Sequence, residues 1–116
     1  MKPVHYFLGK VVWVTGASSG LGCEMVQQLL NYGARVAATS RSMGRLVTHE
    51  RLLVVLGDVT DPKEMQQVVD QIVQHWGGVD VAILNAGACE YVDVKQFERT
   101  VFERMIRINF LGMVYC

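Results

Sequence analysis

The stretch Lys10-Val-Val-Trp-Val-Thr15-Gly16-Ala17-Ser18-Ser19-Gly20-Leu21-Gly22 decides the fold of this chain. A β-branched apolar run enters a cluster of glycines. From Leu21 to Tyr32, Met25, Val26, Leu29 and Leu30 then fall on one helical face, and Gly33 ends the pattern. The order is strand, tight turn, helix. Glycines let the backbone turn sharply and approach a ligand without interference from Cβ. The helix that follows aims its free N–H groups and positive dipole end at the same spot, which suits an anion such as a pyrophosphate. Gly20 is followed by Leu21 rather than by Lys and Ser/Thr, so the spacing departs from a P-loop and disfavours nucleotide triphosphate hydrolysis.

Working outward, Ala34 to Thr39 reads as a second strand. A polar turn with a short helix around Met43 to Thr48 follows, and then a third strand at Leu52 to Leu56. Thr60-Asp61-Pro62 supplies an N-cap and a proline suited to a first helical turn, and Met65, Val68, Val69, Ile72 and Val73 repeat at helical spacing up to Trp76. Gly77-Gly78 ends that helix. Val79 to Leu84 makes a fourth, almost wholly apolar strand, as expected of one covered by helices on both faces. Thr100-Val-Phe-Glu103 is a capping-box pattern opening a last helix through Met105, Ile106, Ile108 and Asn109. Right-handed crossovers through this alternation predict a three-layer α/β/α parallel sheet of strand order 3-2-1-4. Its ligand crevice lies outside the strand C-termini, between strands 1 and 4.

A chain of 116 residues, 51% of them hydrophobic, fills one core and suits a single domain over 1–116. Its 11 basic and 11 acidic residues leave no net field to attract nucleic acid or an anionic membrane. Apolar runs such as Val11 to Val14 and Leu52 to Leu56 fall far short of the roughly 20 residues that cross a bilayer. Residues Met1 to Leu8 lack the features of a signal peptide. Cys23, Cys89 and Cys116 have neither CxxC spacing nor a matching histidine pattern, which supports free thiols rather than disulfides. His5, His49 and His75 lie too far apart in sequence to suggest metal ligands, so no metal site is expected. A cytoplasmic protein is the resulting expectation.

The TGxxxGxG turn over Thr15 to Gly22 has companions further along. Asp58-Val59 follows strand 3, Asn85-Ala86-Gly87 follows strand 4, and Asn109 with Gly112 forms an NxxG segment in the last helix. With these four motifs in order on the right elements, the chain resembles the short-chain dehydrogenase/reductase family, in particular its single-domain subgroup. The resemblance implies a Rossmann-type fold whose cofactor-binding turn is built by Gly16, Ser18, Ser19, Gly20, Leu21 and Gly22. It makes Asp58 and Val59 the adenine-contacting pair, and a carboxylate at 58 can accept a hydrogen bond from an exocyclic amine. It gives the Thr15 hydroxyl the part of steadying the adenine pocket, and Asn85, Ala86 and Gly87 that of bordering the cofactor. Asn85 reads as mainly structural, tying neighbouring strands together. Asn109 becomes a member of the active-site tetrad that supports a proton relay.

Cofactor choice is read at the end of strand 2, where an acidic residue would bind the adenosine ribose 2′-OH and repel a 2′-phosphate. This chain has Ser40-Arg41-Ser42 there. A guanidinium can hold a phosphate through paired charge-assisted bonds, with Ser18 and Ser40 donating hydroxyls, which favours NADP(H) over NAD(H). The family's reaction also needs a Tyr, a Lys four residues after it and an upstream Ser, all following the NxxG helix. The sequence ends four residues after Gly112, so residues 1–116 are expected to be the cofactor-binding part and inactive alone. Tyr91-Val-Asp-Val-Lys95 spells YxxxK, but it directly follows the NAG motif, ahead of Asn109 and with no preceding strand to carry the Ser; it reads as a solvated loop. The expected parent activity is hydride transfer between NADP(H) and a carbonyl or alcohol substrate. The alternative is a non-catalytic nucleotide-binding or regulatory module. The expected partners are that small molecule and further copies of the chain, with an apolar open edge on strand 4 as the route to self-association.

Overall fold

The computed structural model describes residues 6–18 and 20–86. Its elements are β1 (Val11–Thr15), α1 (Gly20–Asn31), β2 (Arg35–Thr39), β3 (Leu52–Val54), α2 (Pro62–Trp76) and β4 (Val81–Ile83). The four strands are parallel and ordered β3-β2-β1-β4. Registers such as Trp13 opposite both Ala37 and Ala82 bring the strand C-terminal ends to one edge.

Strand side chains alternate between faces, and β1 supplies both halves of the core. Val12 and Val14 pack with Val26, Leu29 and Leu30 of α1, while Val11 and Trp13 pack with Met65, Val68 and Ile72 of α2. The sheet is therefore sandwiched between α1 and α2, the doubly wound arrangement that periodicity predicted. The run Val11 to Thr15 is buried throughout because helices cover both of its faces.

Helix ends follow local chemistry. Gly33, at φ 86°, closes α1 with Gly33 N–H on the Leu30 carbonyl and Ala34 N–H on the Leu29 carbonyl, a Schellman pair. Asp61 caps α2 by accepting from Lys63 N and Glu64 N, Pro62 follows as the first helical residue, and Gly77 ends the helix at φ 86°.

Two readings need correction. Met43 to Thr48 is not helical. Gly44 turns into the left-handed region at φ 54° and the next amide, Arg45 N–H, bonds the Ser18 carbonyl instead of a helical partner. Val73 lies in α2 as expected and is 45% exposed, one position past the buried stripe of Met65, Val68 and Ile72. Strands 3 and 4 are shorter than their apolar runs, because the sheet pairing with β2 stops at Val54 and that with β1 at Ile83. Among the described residues β4 pairs only with β1, and Ala82 is exposed. The helix expected from Thr100 lies outside the described residues.

Candidate functional site at the strand C-termini

The site begins where β1 ends. Thr15 is 1% exposed, and its Oγ1 accepts from Asn85 N–H at 3.0 Å and Ala86 N–H at 3.1 Å. Asn85 Nδ2 in turn donates to the Gly16 carbonyl at 3.3 Å. The residues after β4 are thus laced onto the glycine turn by side chains from both segments. Thr15 acts here on backbone, and the Asn85 side chain ties the residues after β4 to the turn after β1.

Gly16 and Gly22 are sterically committed. Gly16 stands at φ 64°, and a Cβ there would lie 2.8 Å from Ala86 Cα. A Cβ on Gly22 would lie 2.0 Å from the Gly16 carbonyl oxygen and 2.7 Å from Asn85 Nδ2. Gly22 is where α1 leans on the turn, so a bare backbone there brings the helix N-terminus up to the crevice. Gly20, at φ 57°, meets no atom within 4 Å of a built Cβ, and its neighbour Leu21 is 68% exposed. Among its described residues the turn accordingly presents the backbone of Gly20 and the side chain of Leu21 to the open side.

On the other flank, Ala17 N–H bonds the Thr39 carbonyl at 3.3 Å, and Gly57 N–H bonds the Ser40 carbonyl at 3.0 Å. These bonds draw the ends of β1, β2 and β3 together. Ser40 is 9% exposed and its hydroxyl donates to the Ser42 carbonyl, so it must rotate before it can donate to a ligand. Arg41 is exposed. Asp58 Oδ1 accepts from Thr60 Oγ1 at 2.7 Å and Thr60 N–H at 2.9 Å. Those Thr60 bonds, opposed by partial burial and aided by the Arg41 charge, hold the Asp58 carboxyl below the usual carboxylate range. Oδ1 is thereby engaged, and no bond to Oδ2 is found among the described residues. Val59 packs partly against the Met65 and Ile72 cluster.

Ser19, Gly87, Asn109, Gly112 and the Tyr91 to Lys95 stretch lie outside the described residues. Sequence reasoning missed Thr60, Gly44 and Asp80. Asp58-x-Thr60 carries the spacing of a side-chain turn. Asp80 Oδ2 accepts from Val11 N–H at 2.8 Å, fastening the start of β1 beside β4. Among the described residues no group of three or more His, Cys, Asp or Glu is placed to hold a metal, and no helix is long and apolar enough to cross a membrane. A depression of about 240 Å³ lined by Leu53, Gln71, Gln74 and His75 lies beside the C-terminal half of α2, away from the strand ends.

A parallel, doubly wound sheet with a glycine turn between its first strand and helix defines a nucleotide-binding half-domain of the Rossmann type. The profile of the short chain dehydrogenase family matches residues 10–116, and the chain belongs to that family. Versicolorin reductase of Emericella nidulans is 33% identical over 116 residues, covering 92% of this chain and 44% of that protein. The ligand-free aldohexose dehydrogenase of Thermoplasma acidophilum superposes with a TM-score of 0.85 at 27% identity, covering 96% of this chain and 42% of that one. A short chain dehydrogenase of Leptospira borgpetersenii with bound NAD+ superposes at 0.89 and 22% identity, covering 99% and 46%, a likeness of fold. The chain spans less than half the length of these relatives.

Proposed function

We propose that this chain forms the NADP(H)-binding part of an oxidoreductase that interconverts a carbonyl and an alcohol. The observation that carries the reading is Arg41 at the end of β2, where an NAD-binding site would place an acid, with its charge reaching Asp58. The backbone turn of Gly16, Ser18, Ser19, Gly20 and Gly22 would take the pyrophosphate, with the dipole end of α1 behind it. Arg41, Ser18 and a rotated Ser40 would take the 2′-phosphate, Asp58 Oδ2 would accept from the adenine amine, and Leu21 would lie against a ring. Thr15 and Asn85 hold Gly16 and the residues after β4 in place for this. Asn85, Ala86 and Gly87 would border the cofactor, and Asn109 would support proton relay.

A bound nicotinamide cofactor supplies the hydride, and the protein supplies placement and the proton. The names of the E. nidulans reductase and the T. acidophilum dehydrogenase support carbonyl and alcohol chemistry. In the family that proton step needs the Tyr and Lys that follow the NxxG segment, so residues 1–116 are proposed to bind cofactor without turnover. Assembly with further copies is proposed through the other side of β4, which among the described residues pairs only with β1.

The test is calorimetric titration with NADPH and NADH before and after Arg41→Asp. Tighter NADPH binding that reverses in the variant is expected, because the change exchanges a phosphate partner for a ribose partner that repels phosphate. Equal affinities before and after would overturn the reading.

A further inference from the structure

Between β2 and β3 the chain has no regular structure, yet the segment carrying Arg41 is anchored at both feet. At the first, the Ser40 carbonyl accepts from Gly57 N–H at 3.0 Å and the Ser40 hydroxyl donates to the Ser42 carbonyl. At the second, Arg45 N–H donates to the Ser18 carbonyl at 2.8 Å, and Leu46, 8% exposed, packs into the core with Val12, Val14 and Val26. Arg41, Ser42 and Met43 are the arch between these feet.

The second foot depends on Gly44. Its φ of +54° is left-handed, and a built Cβ would lie 2.3 Å from the Ser18 carbonyl oxygen and 2.5 Å from Ser18 Cβ. No side chain fits there, and the carbonyl cannot retreat without stretching its bond from Arg45 N–H. Ser18 belongs to the glycine turn itself. The turn that faces the pyrophosphate and the arch that carries Arg41 are therefore joined through one carbonyl.

Resting on the reading of Arg41 as the 2′-phosphate partner, we infer that Gly44 is a positioning residue for cofactor selectivity. By docking the arch on the Ser18 carbonyl it holds the Arg41 backbone in fixed relation to Ser18. A guanidinium binds phosphate through paired, directional bonds, so its value depends on placement. A ribose hydroxyl asks nothing of Arg41. Loosening the dock should therefore weaken NADPH binding more than NADH binding.

The experiment compares the unmodified protein with Gly44→Ala and with Gly44→Asn. Asn tolerates left-handed backbone but still carries the clashing Cβ. Dissociation constants for NADPH and NADH are read by fluorescence titration, with circular dichroism to establish folding. In either variant NADPH affinity should fall about tenfold more than NADH affinity, the worth of a charge-assisted bond. An equal fall for both cofactors, or an unchanged ratio, overturns the inference while leaving Arg41 its role. An unmodified protein with no preference for NADPH overturns the reading of Arg41 and the inference with it. A second measurement needs no variant: NADPH should slow hydrogen exchange of the Arg45 amide more than NADH does, and equal protection overturns the dock.

Discussion

Thr15→Val isolates the bonds that join the glycine turn to the residues after β4. Valine nearly conserves volume, so the packing around this side chain, 1% exposed, is kept while its hydroxyl is lost. Two backbone donors, Asn85 N–H at 3.0 Å and Ala86 N–H at 3.1 Å, then lose their acceptor. A buried donor left unpaired costs about 1–3 kcal/mol. Both residues are half-buried, so water relieves part of this, and the sum should be about 2–3 kcal/mol. At roughly 4 °C or more per kcal/mol for a domain of this size, the unfolding midpoint should drop by about 10 °C. NADPH binding should weaken as well, because the Asn85 Nδ2 bond to the Gly16 carbonyl depends on the same junction. Urea unfolding with an unchanged slope reads the first effect and fluorescence titration the second. Thr15→Ser should recover most of both. A valine variant as stable as the parent would refute the role given to this hydroxyl.

Gly16→Val should abolish nucleotide binding, since its Cβ would meet Ala86 Cα at 2.8 Å on a left-handed backbone; retained affinity in a folded variant would sink the phosphate-cradle reading. Thr60→Ala should raise the Asp58 pKa toward the usual carboxylate value, as followed by carboxyl NMR titration, because Thr60 is the main cause of its lowering. With a folded pKa below the unfolded one, Asp58 contributes stability above the unfolded value of about 3.9, lost as pH falls through the folded value. The Thr60 variant should show less of that acid dependence, and an unchanged pH profile would contradict the assignment. Asp61→Ala should cost about 1 kcal/mol by removing the cap of α2, measured by urea denaturation; no loss would mean that Pro62 and the first turn suffice.

Most of the fold was legible because it rests on periodicity and punctuation. Val26, Leu29 and Leu30 repeat at helical spacing, the β1 run is apolar on both faces, and Gly33 and Gly77 stop helices by adopting positive φ. The glycine turn was legible as a motif, but its reason was not. What forbids a side chain at Gly22 is the Gly16 carbonyl and the Asn85 amide, and Asn85 is more than sixty residues away in sequence. The expected helix at Met43 to Thr48 failed for the same cause. A local pattern carries no record that Ser18, from a distant turn, takes the Arg45 amide and holds Gly44 in a left-handed conformation. Thr60 was overlooked beside Asp58 because the side-chain turn it forms looks like an ordinary helix approach.

The measurement that bears most directly on the central claim is a map of backbone amide shifts as NADPH is titrated into isotopically labelled protein. We expect the largest changes at Gly16, Ser18, Gly20 and Gly22, with Arg41, Asp58 and Ala86 following, and almost none at Leu53, Gln71, Gln74 and His75 beside the far end of α2. Changes centred on those last four residues, with the glycine turn unmoved, would contradict it.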